Sequence, residues 1–145
     1  MKYTCEIDLA LPISKVIELF DNPDNMSKWQ PGLVSFEHLS GEPGQPGSKS
    51  KLLYDMNGRE MEMIETIDEK NPPTHFSGTY TTKGVTNHMR NEFISTGSTK
   101  TKWKSHNIFK FSGFMAIMSL FMKGAFSKQT QKYMDQFKAF AEGES

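Results

Sequence analysis

The sequence predicts an α+β domain in which a curved antiparallel sheet of about seven strands is closed over a cavity by a long C-terminal helix. Three observations predict this architecture. The chain opens with an alternating, strand-like segment that is followed by two short helical segments. Three hairpin turns set strand registers in the middle of the chain. A proline-free segment with apolar residues at helical spacing closes it.

Length and charge limit the classes of function. A chain of 145 residues is expected to form a single domain, residues 1–145, whose core needs neither disulfides nor metal ions. Lys plus Arg and Asp plus Glu each number 17, so no nucleic-acid partner is expected. The single cysteine, Cys5, cannot form an internal disulfide, and the N-terminus lacks the basic-then-apolar run of a secretion signal. We therefore expect a cytoplasmic protein.

The N-terminal elements follow from periodicity and from helix breakers. Residues 2–9 alternate between apolar and polar side chains, as a half-buried strand does. A first short helix is predicted over residues 12–22, where a proline starts it and an Asn-Pro pair ends it. A second short helix is predicted over residues 24–29 and a second strand over residues 34–39. Residues 40–47 hold three glycines and two prolines and are predicted to form a loop.

Two hairpin turns, Asn57-Gly58 and Lys83-Gly84, predict the pairing of the next four strands. The predicted partners are Met56 with Arg59, Tyr54 with Met61, Leu52 with Met63, Ser50 with Glu65, Tyr80 with Asn87, Gly78 with Met89, and Phe76 with Asn91. In these registers most charged side chains fall on the outer face. A slip of one residue would bury several lysines, so the side-chain pattern supports the pairing.

A third turn, around residues 96–98, is predicted to join the last two strands. The expected partners on the inner face are Phe93 with Thr101, Asn91 with Trp103, Met89 with Ser105, and Asn87 with Asn107. On the outer face the same register puts His88 opposite His106 and Glu92 opposite Lys102. The two imidazoles lack further ligands at the usual close spacing, so no metal site is predicted.

The C-terminal segment, residues 114–141, contains no proline and is predicted to form one helix of roughly 28 residues, about 42 Å long. Gly124 marks a point at which this helix can bend. Residues 114–122 are apolar on nearly all sides, which is more than one cavity-facing stripe requires. This stretch predicts contact with a membrane or with a second copy of the chain, in a homodimer.

Five segments carry a family resemblance: IDLALPISKV at residues 7–16, WQP at 29–31, SGEPG at 40–44, GSTKTKW at 97–103 and FKAFAE at 137–142. In their order and spacing the chain resembles the START-like (SRPBCC) superfamily, in its polyketide cyclase and dehydrase-like branch. The resemblance implies the helix-grip fold, with a cavity that holds lipids, sterols, polyketides or other apolar molecules. Members include carriers, sensors and ring-closing enzymes, so the resemblance implies no single activity.

The predicted inner face combines many apolar side chains with a few polar ones, as ligand cavities do. Four of the polar ones, Asn87, Asn91, Ser105 and Asn107, lie on two neighbouring strands. Because a buried amide without a partner costs about 1 to 3 kcal/mol, they indicate water, mutual hydrogen bonds or the polar end of a ligand. The alternative is a solid core with asparagines at a wet rim. The predicted ligand-binding residues are Tyr54, Met56, Met61, Met63, Phe76, Tyr80, Asn87, Met89, Asn91, Phe93, Trp103, Ser105, Asn107, Met118, Met122, Phe126 and Tyr133.

Three functions are consistent with this pattern. The first is a carrier or sensor of a hydrophobic or amphipathic small molecule. The second is a cofactor-independent cyclase or dehydratase for a polyketide-like substrate, with Glu65 or Tyr80 as the acid–base residue. The third is an interaction protein that uses residues 114–122. The sequence has no phosphate loop, dinucleotide fingerprint or G-x-S-x-G elbow, so no cofactor is expected, and binding is favoured over catalysis.

Overall fold

A seven-stranded antiparallel sheet forms the framework of the fold. The computed structural model describes residues 1–122 and 124–143. The strands are β1 (Lys2–Leu9), β2 (Leu33–Ser40), β3 (Lys49–Met56), β4 (Arg59–Asn71), β5 (His75–Thr82), β6 (Val85–Gly97) and β7 (Lys100–Phe111). Their order in the sheet is β1-β7-β6-β5-β4-β3-β2, so strands β2 to β7 form a meander and β1 pairs with β7.

The helices follow β1 and β7. They are α1 (Ile13–Phe20), a 3-10 helix (Pro23–Asn25), α2 (Met26–Trp29), α3 (Phe114–Met118), a second 3-10 helix (Ser119–Phe121) and α4 (Ala125–Gly143). The predicted fold class, an antiparallel sheet with short N-terminal helices and a long C-terminal helix, is confirmed. The predicted second helix over residues 24–29 is a 3-10 turn followed by the four residues of α2.

The first two hairpins have the predicted registers. Tyr54 pairs with Met61 across the first turn, and Tyr80 pairs with Asn87 across the second. In the first turn Asn57 and Gly58 have φ angles of +58° and +83°. A two-residue hairpin of this type requires positive φ at both positions, which asparagine and glycine tolerate best.

The predicted register of the third hairpin is wrong by two residues. The observed partners are Phe93 with Trp103, Asn91 with Ser105, Met89 with Asn107, and Asn87 with Phe109. On the outer face His88 lies opposite Ile108, His106 opposite Arg90, and Glu92 opposite Lys104. The cause lies in the turn, because β6 continues to Gly97, which pairs with Lys100 after an irregularity in the register. A shift of two residues leaves every side chain on its predicted face, since the strand repeat is two.

The prediction of one unbroken helix over residues 114–141 is wrong in its boundaries. The segment contains α3, the second 3-10 helix and then α4, which has 19 residues. Gly124 has a φ of +84°, a left-handed conformation that an α-helix cannot contain and that glycine adopts at little cost. The helix is therefore interrupted before α4 begins. Lys123, which belongs to the predicted range, lies outside the described residues.

Helix α4 is fastened along the edge strand β1. The hydroxyl groups of Tyr3 and Thr130 are 2.7 Å apart, and the Lys138 ammonium donates to the Asp8 carbonyl oxygen at 2.7 Å. These contacts cover one edge of the sheet and hold the helix over its inner face.

An aromatic core fills the space beneath the C-terminal half of α4. Phe137 is fully buried there, and its ring centroid lies 5.3 Å from those of both Trp29 and Trp103. Trp103 also stacks on Phe93 at 5.7 Å. Aromatic rings at these separations pack favourably edge to face or offset. The core closes one part of the space between helix and sheet, and the remainder is a cavity.

Candidate ligand cavity

A cavity of about 680 Å³ lies between the inner face of the sheet and the helices. Its volume falls within the range of roughly 300–1,000 Å³ that is usual for small-molecule sites. Its walls come from all seven strands, from α1, α2 and α3, and from the N-terminal half of α4, and most of the lining side chains are apolar. The alternation of the strands explains this lining, because every second residue points inward.

Most of the predicted ligand-binding residues line this cavity. They are Tyr54, Met56, Met61, Met63, Phe76, Tyr80, Asn87, Met89, Asn91, Trp103, Ser105, Met122, Phe126 and Tyr133. The structure therefore brings them together around one space, while their role in ligand binding stays a prediction.

Three of the predicted residues, Phe93, Asn107 and Met118, do not border the cavity. Phe93 is only 2% exposed, because it packs into the aromatic core against Trp103. Asn107 is also 2% exposed, and its side chain forms hydrogen bonds with Asn87 and Ser105. Met118 ends α3, and the flanking Met115 and Met122 line the cavity in its place.

The polar side chains of β6 and β7 bond to one another. Trp103 Nε1 donates to Asn91 Oδ1 at 3.0 Å, Asn87 Nδ2 donates to Asn107 Oδ1 at 3.3 Å, and Asn107 Nδ2 donates to Ser105 Oγ at 3.0 Å. Of the explanations that the sequence left open for these residues, mutual hydrogen bonding is the one observed. These bonds compensate part of the cost of burying the amides within the protein.

A carboxyl and a phenol lie side by side on the neighbouring strands of the same sheet. Glu65 and Tyr80 are cross-strand neighbours on β4 and β5. Burial raises the pKa of the Glu65 carboxyl, and a hydrogen bond from the Tyr80 hydroxyl offsets part of that rise. Burial and then the Glu65 charge hold the pKa of Tyr80 well above its ordinary value. In the described part of the chain Glu65 has no ion-pair partner. Desolvation of an unpaired carboxyl therefore favours its neutral, hydrogen-donating form.

Tyr54 extends this polar group toward α2. Its hydroxyl donates to Gln30 Oε1 at 2.7 Å in a buried contact, and burial raises the pKa of the phenol. Tyr54, Glu65 and Tyr80 thus form a polar patch within an otherwise apolar wall.

Charged side chains mark the two ends of the cavity. Arg59 and Lys70 both line it and lie near opposite ends of the 13-residue strand β4. Lys70 is paired with Asp21 at 3.0 Å, whereas Arg59 and Lys83 are exposed side chains that also line the cavity. Asp21 and Glu69 line the cavity near Lys70 as well, so the charged side chains other than Glu65 lie toward its two ends.

One protein family, described as "Polyketide cyclase / dehydrase and lipid transport", matches residues 1–142. The chain belongs to this family. The START-like (SRPBCC) resemblance that the sequence indicated is confirmed by this match and by the fold. No curated protein matches the chain in sequence.

Solved structures share the fold of this polyketide cyclase/dehydrase and lipid transport family member. A conserved protein from Geobacillus kaustophilus superposes with a TM-score of 0.82 at 17% identity, over 99% of this chain and 96% of the other. A START superfamily protein from Mycobacterium smegmatis gives 0.79 at 11% identity, over 99% of each chain. The Zhui aromatase/cyclase from Streptomyces sp. R1128 gives 0.79 at 12% identity, over 98% and 93%. At these identities the likeness concerns the fold.

Sequence reasoning missed the cavity residues that come from the helices and the outer strands. They include Tyr3, Phe20, Met26, Trp29, Gln30, Phe36, Gln129, Thr130 and Met134. Helical residues reach the cavity through tertiary packing, which strand alternation does not describe. One signal was present for Gln30, because it lies in the WQP segment that contributed to the family resemblance.

Proposed function

We propose that this protein binds a hydrophobic or amphipathic small molecule in the cavity, as a carrier or sensor. The observation that carries the proposal is a cavity of about 680 Å³ with largely apolar walls. Burial of apolar ligand surface there is worth about 25 cal/mol per Å², less the entropy lost on binding. Membership of a family described by lipid transport as well as by cyclase and dehydrase activity supports the proposal.

The ligand's polar end is assigned to Tyr54, Glu65 and Tyr80. The amides of β6 and β7 already use part of their hydrogen-bonding capacity within the protein. Glu65 can accept a hydrogen bond from a ligand hydroxyl as a carboxylate or donate one when it is protonated. The hydroxyl oxygens of Tyr54 and Tyr80, whose protons are donated to Gln30 and Glu65, can accept a hydrogen bond beside it. An apolar body with one carbonyl or hydroxyl group therefore suits the cavity better than a pure hydrocarbon does.

The binding experiment begins with native mass spectrometry of freshly purified protein before and after organic extraction. Extracted protein is then titrated with fatty acids, sterols and polycyclic aromatic ketones while thermal stability is followed. We expect at least one class to raise the melting temperature in proportion to its concentration. Failure of every class, together with an empty protein in the first step, would contradict the proposal.

A cavity-filling variant links binding to this space. Met63 lines the cavity, so Met63→Trp should weaken binding of any responding ligand at least tenfold. Ile94→Trp, at a position that is 37% exposed and does not line the cavity, is the matched control. Equal affinity of the two variants would place the ligand elsewhere.

A second candidate function is acid–base catalysis on a bound polyketide-like substrate. The observation that favours it is the raised pKa of Glu65 beside Tyr80, because a carboxyl that titrates closer to neutrality exchanges protons more effectively at physiological pH. Glu65 would move the proton and Tyr80 would orient it. Once a substrate is identified, Glu65→Gln tests acid–base catalysis by this residue, since undiminished turnover would remove Glu65 from the mechanism.

A further inference from the structure

Four large apolar side chains are exposed together where α3 joins the second 3-10 helix. Phe114, Ile117, Leu120 and Phe121 are 71%, 58%, 66% and 80% exposed. We call residues 114–122 the α3 segment. Single exposed apolar residues are ordinary, but four within eight consecutive residues form a patch that usually marks a contact surface.

The α3 segment is held on the rim of the cavity. Met115 and Met122, on its other side, line the cavity. Met115 lies against the β5–β6 turn so closely that a Cβ atom built on Gly84 would be 2.9 Å from Met115 Cγ. The Ser112 amide also donates to the Gly84 carbonyl oxygen at 3.0 Å. The segment is thus anchored from inside, and its outward apolar face is left uncovered in the described structure.

The stretch of chain that contains the α3 segment is basic. Residues 93–134 contain seven lysines and no aspartate or glutamate. Lys110 and Lys128 are exposed on either side of the segment along the chain. Arg59 and Lys83 are exposed at the adjacent end of the cavity, where Glu60 and Glu62 are exposed as well. Apolar residues within a basic border are the pattern that binds anionic membrane surfaces.

We propose that the α3 segment docks on an anionic lipid bilayer, with its phenylalanines in the interfacial region and the neighbouring lysines against lipid headgroups. Docking would be superficial, because no helix among residues 1–122 and 124–143 is long and apolar enough to cross a bilayer. A symmetric contact with a second copy is disfavoured, since it would bring the basic borders of two chains together. Membrane docking does not depend on ligand binding in the cavity, and the two are measured in separate experiments.

The first test is co-sedimentation of the full chain with phosphatidylcholine vesicles, with and without phosphatidylglycerol. Binding is expected on the anionic vesicles and is expected to be weaker on the neutral ones. The double variant Phe114→Ser with Phe121→Ser should bind at least tenfold more weakly. Leu39→Ser, at a position 47% exposed on β2, is the control and should bind as the original protein does. Leu120→Ser serves as a milder variant if the double variant fails to fold.

The second test separates charge from apolar insertion. Lys110→Glu with Lys128→Glu should weaken binding to anionic vesicles about fivefold or more per lysine and leave binding to neutral vesicles unchanged. Sedimentation equilibrium without lipid completes the experiment. The proposal is overturned if the protein ignores both kinds of vesicle, or if the Phe variants only dissociate a dimer of the original protein. Ligand titrations on the same variants show whether the cavity is independently intact.

Discussion

Glu65 on β4 lies directly opposite Tyr80 on β5, and both side chains line the cavity. The pairing places a carboxyl and a phenol in one desolvated space, where each changes the proton affinity of the other. Ion pairing of Glu65 is absent from the described part of the structure, so burial dominates its titration.

Tyr80→Phe should raise the pKa of Glu65 further. The hydrogen bond from the Tyr80 hydroxyl stabilises the carboxylate, so its loss leaves desolvation unopposed. Carbon-13 NMR titration of the glutamate carboxyl resonances measures the change, and Glu65→Gln identifies the resonance by its disappearance. An unchanged or lower pKa in the variant would show that the hydroxyl does not donate to Glu65.

Glu65→Gln should stabilise the protein at neutral pH and lose that advantage in acid. A carboxyl whose pKa is raised by folding favours the folded state below its ordinary value of 4.5, and this contribution is lost as pH rises through the folded-state pKa. The glutamine has no charge to desolvate at any pH. Urea unfolding across this range measures the difference. Glu60→Gln, which removes an exposed carboxylate of the same strand, is the control, and a parallel pH profile for the two variants would refute the argument.

Trp103→Phe should destabilise the protein by about 1 to 3 kcal/mol through the unpaired amide oxygen alone, before any loss of packing. Its indole N–H donates to Asn91 Oδ1, and both side chains are buried. Trp29→Phe is a matched control, because Trp29 is buried in the same core and its indole nitrogen has no hydrogen-bond partner among the described residues. Chemical denaturation should show the larger loss at Trp103, and equal losses would assign the effect to ring volume.

Gly84→Ala should cost more stability than Gly58→Ala. Both glycines have positive φ, +78° and +83°, so an alanine is strained by about 1 kcal/mol at either position. Only at Gly84 does the added Cβ meet Met115, at 2.9 Å from its Cγ, whereas nothing lies within 4 Å at Gly58. Adding Met115→Ala should recover part of the excess. Thermal unfolding of the three variants tests this, and equal losses at the two glycines would remove the close contact as a cause.

The sheet was largely predictable, because its determinants are local. Asn57 and Gly58 tolerate the positive φ angles of a two-residue turn, and this turn sets the pairing of Tyr54 with Met61. The third hairpin was not placed correctly, since the pairing of Gly97 with Lys100 adds an irregularity that turn residues alone do not reveal. The register error of two residues left each side chain on its predicted face of the sheet, because the strand period is two.

The sequence by itself determined the fold class, the inner and outer faces of the strands, and the apolar character of the interior. It did so because alternation and turn chemistry depend on neighbouring residues. Only the tertiary structure decided that Phe93 packs in the core while Met89 borders the cavity, since both lie on the inner face of β6 and differ in what covers them. It likewise decided that Asn87 and Asn91 form hydrogen bonds within the protein and that Glu65 lies beside Tyr80 in the cavity wall. The burial of a side chain and its hydrogen-bond partners depend on how the helices pack over the sheet, and no local sequence pattern encodes that packing.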